Sequence, residues 1–217
     1  MNIIFYNKFF IVCIKPAGVI STDEPGGMPE LLREALGDPD ADIRAVHRLD
    51  QVVSGLMVYA QSNEAASELS RQIRDGEFKK SYLAVCHGVP PEKKGRFEDI
   101  LLRSKEKRKT FVIDKPARGA QNAILDYELL SSDGERSLVA IELVTGRTHQ
   151  IRAQFSHRRL PLLGDRKYST FEDDCGVALW SYSLSFINPA NGKRMTFKVK
   201  PPKEYPWSQF DTAVMPR

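Results

Sequence analysis

Asp50 stands in the run His47-Arg48-Leu49-Asp50, a carboxylate two residues from a cation, with Ser54-Gly55 just beyond. A short apolar stretch, Ala45-Val46, leads in, and Gly55-Leu56-Met57-Val58-Tyr59-Ala60 leads out as a strand. Asp50 is therefore expected at a tight turn between two strands, next to Arg48 and the flexible Gly55. A ligand can reach a carboxylate placed there, and a neighbouring cation holds it ionised. Such a group can serve as a nucleophile. The same residues also fit an Asp that binds its own backbone and shapes a turn.

Two further segments carry polar side chains in suggestive places. Lys80-Ser81-Tyr82-Leu83-Ala84-Val85-Cys86-His87-Gly88 reads as a strand with a Tyr near its start, and Thr145-Gly146-Arg147-Thr148-His149-Gln150-Ile151-Arg152 as a strand-to-helix junction. On a helix over 148–157, Ile151 and Phe155 lie four apart and form the buried stripe. Thr148, His149, Arg152 and Ser156 then occupy a polar face. An ionised Asp in a cleft is costly without a partner, and Arg152 is the best placed to supply one. Arg48 precedes Asp50 by two residues on the same strand and so shares its face, whereas His47 points the other way as a core or turn histidine. Taken alone, Tyr82 is a strand Tyr that keeps its hydroxyl wet. His149 reads as a structural hydrogen-bond donor or a substrate contact, and Arg147 as a phosphate contact or a loop brace.

In order and spacing these segments resemble the RluA family of pseudouridine synthases. The Lys15-Pro16-Ala17-Gly18 turn, Pro161-Leu162-Leu163-Gly164-Asp165 and the Asn188-Pro189…Gly192 turn fit as well, so the resemblance runs from about residue 3 to residue 200. It implies an α+β fold: a mixed, mainly antiparallel, curved sheet with helices packed around it and a central catalytic cleft. It also implies isomerisation of specific uridines to pseudouridine in structured RNA, either tRNA or rRNA, without cofactor or metal. Asp50 matches the family's catalytic Asp, Arg152 the Arg that pairs with it, and Tyr82 the Tyr that stacks on the base and accepts the C5 proton. Arg48 matches an Arg placed to fill the stack left by the extruded nucleotide, whose removal costs a few kcal/mol. The family's usual Asp-x-x-Thr-Ser-Gly has Val53 here, which lacks a hydroxyl to brace the turn. Leu125 likewise stands where a Thr is frequent, and Asp165 reads as a turn residue after Gly164. The chain begins at the first catalytic strand, which leaves no room for the S4 RNA-binding module of many relatives.

Position for these groups must come from elements the pattern also predicts. Ile3-Ile4-Phe5-Tyr6 and the run 9–14 read as a hairpin around Asn7-Lys8. A helix follows over 29–36, with Pro29 in its first turn, Gly37 at its end, and Leu31, Leu32, Ala35 and Leu36 inward. A second helix over 62–75 is capped by Ser62 or Asn63, with Ala65, Ala66, Leu69 and Ile73 at helical spacing. Strands are expected near 81–87, 96–102, 122–130, 136–145, 178–187 and 193–199. A single catalytic domain over 1–217 follows, a size that can bury a proper core.

Composition narrows the class. The charge of +4 permits a polyanionic partner without demanding one. Three scattered Cys, with no C-x-x-C, imply neither a disulfide framework nor a zinc site. No apolar run is long enough to span a membrane and no signal-peptide pattern is present, so a cytoplasmic location is expected, with no obligatory protein partner. One stretch departs from the mean: 103–118 holds Arg103, Lys105, Lys107, Arg108, Lys109, Lys115 and Arg118 against only Glu106 and Asp114. It reads as a solvated basic loop or, slightly ahead, as an arm that contacts RNA phosphates, with Lys105, Lys107, Arg108 and Lys109 at its centre. Two rival functions are a non-catalytic RNA-binding protein or chaperone on the same fold, and a carboxylate-dependent hydrolase. The hydrolase normally needs two carboxylates flanking a bond, and no motif ties a second one to Asp50.

Overall fold

The structure, a computed structural model, describes residues 1–215. In chain order the elements are β1 Asn2–Tyr6, β2 Phe10–Lys15, α1 Met28–Leu36, β3 Arg44–Ala45, β4 Ser54–Ala60, α2 Asn63–Arg74, β5 Lys79–His87, β6 Lys94–Ser104, β7 Lys109–Ile113, β8 Gln121–Ser132, β9 Arg136–Leu143, α3 Gln150–His157, β10 Leu179–Ile187 and β11 Arg194–Lys198. Two single-turn 3-10 helices, Trp207–Gln209 and Thr212–Val214, follow. The fold is α+β and its ladders are mostly antiparallel. The chain forms two compact units, Met1–Lys80 with Trp180–Pro201, and Ser81–Leu179 with the segment from Pro202 onward.

In the first unit the strands run in the order β1-β2-β4-β10, with β3 beside β4 and β11 beside β10. The β1–β2 hairpin closes because Asn7 Oδ1 accepts from the N–H groups of Phe9 and Phe10, both at 2.9 Å. Alternation then sends Phe10 and Val12 into a core with Leu56, Val58 and Ala60 of β4 and Leu184 and Phe186 of β10. Ala65 and Leu69 of α2 join that core. Ser62 caps α2 by accepting from the Ala65 N–H at 3.2 Å. Gln72 is buried on α2 because its amide copies a strand: it donates to Ile187 O and accepts from Ile187 N, both at 2.8 Å. In α1, Leu32 is buried while Ala35 is exposed, so the inward side is narrower than expected.

The second unit orders its strands β5-β9-β8-β6-β7, all antiparallel. Phe97 of β6, Tyr127 of β8 and Phe155 of α3 pack as a cluster, with Phe97 centred 4.7 Å from Tyr127 and 5.2 Å from Phe155. Trp207, Phe210 and Met215 of the C-terminal segment are buried as well. Two expectations need correction here. The basic stretch is no loop: Lys109–Ile113 is a strand in register with β6, so 103–118 carries most of a hairpin. Helix α3 starts at Gln150 and has no solvated face, since the six residues 150–155 are all buried. Its polar side chains find partners there, as Gln154 Nε2 does in Asp99 at 2.7 Å, although Gln154 Oε1 accepts no bond among the described residues.

Candidate active site

Asp50 closes its turn through the backbone, its carbonyl accepting from the Val53 N–H at 3.0 Å. Valine supplies that N–H as well as threonine, and Val53 itself is buried. The lead-in differs from the expected strand. β3 ends at Ala45, and Arg48, Leu49 and Asp50 lie on irregular chain. Strand alternation therefore does not put Arg48 and Asp50 on one face. Arg48 is exposed and Asp50 half-buried.

Irregular chain needs other partners for its polar groups; two side chains supply them, and a third, His47, ties the segment to β4. The Ser21 hydroxyl donates to Leu49 O at 2.9 Å and accepts from Leu49 N at 3.1 Å. His47 Nε2 accepts from the Val58 N–H at 3.1 Å, with its ring tilted on Phe78 at 5.6 Å, which makes it the core histidine expected. Lys15, fully buried, donates from Nζ to Pro16 O at 2.8 Å, Val19 O at 2.6 Å and Gln51 O at 3.1 Å. Burial lowers its amine to about 8, against the upward pull of the Asp50 carboxylate, so it remains an ammonium at neutral pH. Gly18 N–H and Gln51 Nε2 add bonds of 2.8 Å each across the same junction. The Lys-Pro-Ala-Gly turn is thus a clamp on the residue after Asp50. Lys15 and Ser21 had been given no role from sequence. A lysine ending the apolar run Phe10-Ile11-Val12-Cys13-Ile14 was the available signal.

On the outgoing side Gly55 has φ +118°, and a Cβ there would lie 2.5 Å from the backbone N and O of Ser181. Strand β10 runs parallel to β4 at this point, Ser181 facing Gly55. Only glycine permits that approach.

In the second unit Tyr82 lies on β5 opposite Ile141 and is 5% exposed. Arg152 makes a two-pronged pair with Asp165: Nε to Oδ2 and Nη2 to Oδ1, each 2.7 Å, with side-chain exposures of 4% and 0%. Asp165 is therefore the buried counter-charge of Arg152 as well as a turn residue, which corrects the simpler reading. Its carbonyl also accepts from Tyr168 and Ser169 N–H groups. Tyr168, which sequence reasoning missed, joins α3 to the hairpin. Its hydroxyl accepts from Thr110 N at 2.7 Å and shares a hydrogen bond of 2.8 Å with His149 Nδ1. Burial pushes the Tyr168 phenol up, which keeps it a donor. His149, at φ 55°, ψ 21°, forms the left-handed entry to α3. The Arg152 guanidinium lies 5.1 Å from the centre of the Tyr168 ring. Arg147 is exposed and donates to Asn122 O at 3.0 Å, the loop brace among its two readings. Lys105, Lys107 and Arg108 are exposed at the hairpin turn, whereas Lys109 is half-buried with Nζ 4.7 Å from the Tyr168 centroid.

Residues 9–157 match a family model described as RNA pseudouridylate synthase. The chain is 28% identical to ribosomal large subunit pseudouridine synthase C of Buchnera aphidicola subsp. Schizaphis graminum, over 89% of this chain and 65% of that protein. It is 30% identical to ribosomal large subunit pseudouridine synthase D of Neisseria meningitidis serogroup B, over 94% of this chain and 59% of that protein. The chain thus spans less than two thirds of the length of these relatives. Among solved structures, human RNA pseudouridylate synthase domain containing 4 superposes with a TM-score of 0.78 at 23% identity, over 93% of this chain and 89% of that one, a likeness of fold.

Proposed function

The chain belongs to the RNA pseudouridylate synthase family, of the RluA type, and on that premise we propose that it isomerises uridine to pseudouridine in structured RNA. The two relatives are named for the large ribosomal subunit, so ribosomal RNA is preferred over tRNA as the substrate. The reaction breaks the bond from N1 to the sugar, forms one from C5 to the same carbon, moves the C5 proton off and returns one to N1. Substrate and product are isomers, so the balance needs no redox partner. Asp50 acts as the nucleophile that opens the glycosidic bond. Arg152 pairs with it, Tyr82 stacks on the base and receives the C5 proton, and Arg48 fills the space of the extruded nucleotide. Both compact units act as one catalytic domain, in the cytoplasm and without an obligatory protein partner. No helix among the described residues is long and apolar enough to cross a membrane.

The observation that carries this reading is the bracing of the Asp50 turn by Lys15, Ser21 and His47. A turn that only reversed the chain would not need a buried ammonium beside its carboxylate. Against the hydrolase alternative, no motif ties a second carboxylate to Asp50, and Asp165 is held by Arg152 in a buried two-pronged pair. The test maps pseudouridines in total RNA from cells with and without the protein, then repeats the assay with purified Asp50→Asn. A uridine modified only when the wild-type protein is present, and left unmodified by a variant that still binds RNA, is the expected result. Near-normal turnover by Asp50→Asn would remove Asp50 from the chemistry.

A further inference from the structure

Phe111 sits where a hydrophobic ring has least to gain. Its neighbours Thr110 and Val112 point inward: Thr110 is buried and donates to Thr148 O at 2.9 Å, and Val112 packs on Leu101, Ala123, Ala153 and Tyr168. Alternation along β7 therefore turns Phe111 outward, and it is 37% exposed. Opposite it on β6 is Leu102, half-buried on the same face, and Ile100 and Ile113 face each other two residues along. The result is a small apolar shelf with the phenyl ring at its outer end.

Cations frame that ring. Lys107 Nζ is 5.9 Å from its centroid and Lys109 Nζ 5.8 Å. Neither lysine has a carboxylate partner among the described residues. An exposed aromatic elsewhere in the unit is treated differently: Phe171 stacks on the His87 ring at 3.9 Å. Cross-strand packing on Leu102 accounts for a large apolar residue at position 111. It does not account for two ammonium groups without carboxylate partners near the ring, of which Lys109 lies between Phe111 and the Tyr168 ring.

We propose that Phe111, with Lys107 and Lys109, forms a stacking site for an unpaired nucleobase of RNA, outside the Asp50 chemistry. A base offers a flat π-face to the phenyl ring, and its phosphates meet the lysines. A duplex hides both base faces, so the ligand is a looped-out or single-stranded nucleotide. Aromatic platforms in cationic surroundings bind single strands with little sequence preference, each stack adding to an affinity set largely by phosphate contacts. The site deepens the proposed function, since it rests on RNA being the substrate, and it names the part of the RNA that is held.

Phe111→Ala, Phe111→Leu, Phe111→Tyr and Lys107→Gln/Lys109→Gln are titrated with an unstructured oligouridylate at several salt concentrations. Melting curves first establish that each is folded. Stacking predicts that Ala and Leu both weaken affinity roughly five-fold to a hundred-fold with the salt slope unchanged. Tyr should keep wild-type affinity, and the double Gln variant should flatten the slope by roughly one unit. In a Phe111→Trp protein the indole fluorescence should be quenched on binding. Wild-type affinity in both Ala and Leu variants, or full affinity in Leu alone, overturns the stacking site. Pseudouridine formation by the wild type is measured beside these titrations. If RNA is modified but Phe111 does not matter, the site falls and the function stands. If nothing is modified and binding still depends on Phe111, the site stands and the function falls.

Discussion

His47 and Arg48 are neighbours in sequence and opposites in surroundings. His47 is buried, and that burial lowers its imidazole to about 3, with the nearby Lys80 charge acting in the same direction. Its Nε2 accepts a bond, so the proton is on Nδ1, which finds no acceptor. A folded-state value below the ordinary 6.5 means that stability is fully present above 6.5 and is lost as pH falls towards 3. Urea midpoints should therefore drop across that window. The wild type's advantage over His47→Gln should shrink as pH falls, because the variant lacks this titration; an advantage that is constant with pH would sink the assignment. Arg48, exposed, has no structural work of that kind to lose. If it fills the stack left by an extruded uridine, Arg48→Ala should slow isomerisation on a stem-loop roughly ten- to a few hundred-fold. The same variant should come close to wild-type rate on an unstructured oligonucleotide carrying that uridine. An equal proportional loss on both substrates would mean that Arg48 holds phosphate or supports Asp50 instead.

Elements differ in how far their own residues announce them. Helix α2 was legible because its cap, Ser62, and its inward positions, Ala65 and Leu69, are local signals. The β1–β2 hairpin was legible as two apolar runs, although the side-chain bonds of Asn7 that close it were not. β7 was hidden because charge drowned its alternation: Thr110 in, Phe111 out and Val112 in stand among lysines and arginines. α3 lacked a readable face because its polar residues are matched by groups far away in sequence, Arg152 by Asp165 and Gln154 by Asp99. The same limit applied to the site. Asp50, Tyr82 and Arg152 could be picked out as motifs, but the Lys15 clamp depends on a carbonyl thirty-six residues downstream. Gly55 marks a tight junction between β4 and β10. Gly55→Ala combines a strained φ with a Cβ 2.5 Å from the Ser181 backbone. It should cost roughly 2–4 kcal/mol, read as a lower denaturant midpoint. An unchanged midpoint would show that β4 and β10 separate more easily than their register suggests.

Across the whole molecule 32 basic side chains nearly balance 28 acidic ones, so the net charge of +4 provides little long-range attraction for RNA. If RNA is the ligand as proposed, affinity must come from where the charges gather, as in the β6–β7 hairpin. Replacing Lys105, Lys107, Arg108 and Lys109 together by Gln should weaken RNA binding and lower the slope of log affinity against log salt by up to about three units on single strands. The fold should survive, with at most a small loss where Lys109 leaves the Tyr168 ring. An unchanged slope would reduce the segment to a solvated hairpin. The parallel junction of Ser54 and Gly55 with Trp180 and Ser181 has a further consequence, in time rather than in energy. A ribosome making this chain delivers Asp50 first, and the strand that seals the exit of its turn emerges more than a hundred residues later. Until then β4 presents an open edge, the kind of surface that invites wrong pairing during synthesis. Asp50 is thus made well before the strand that completes its scaffold.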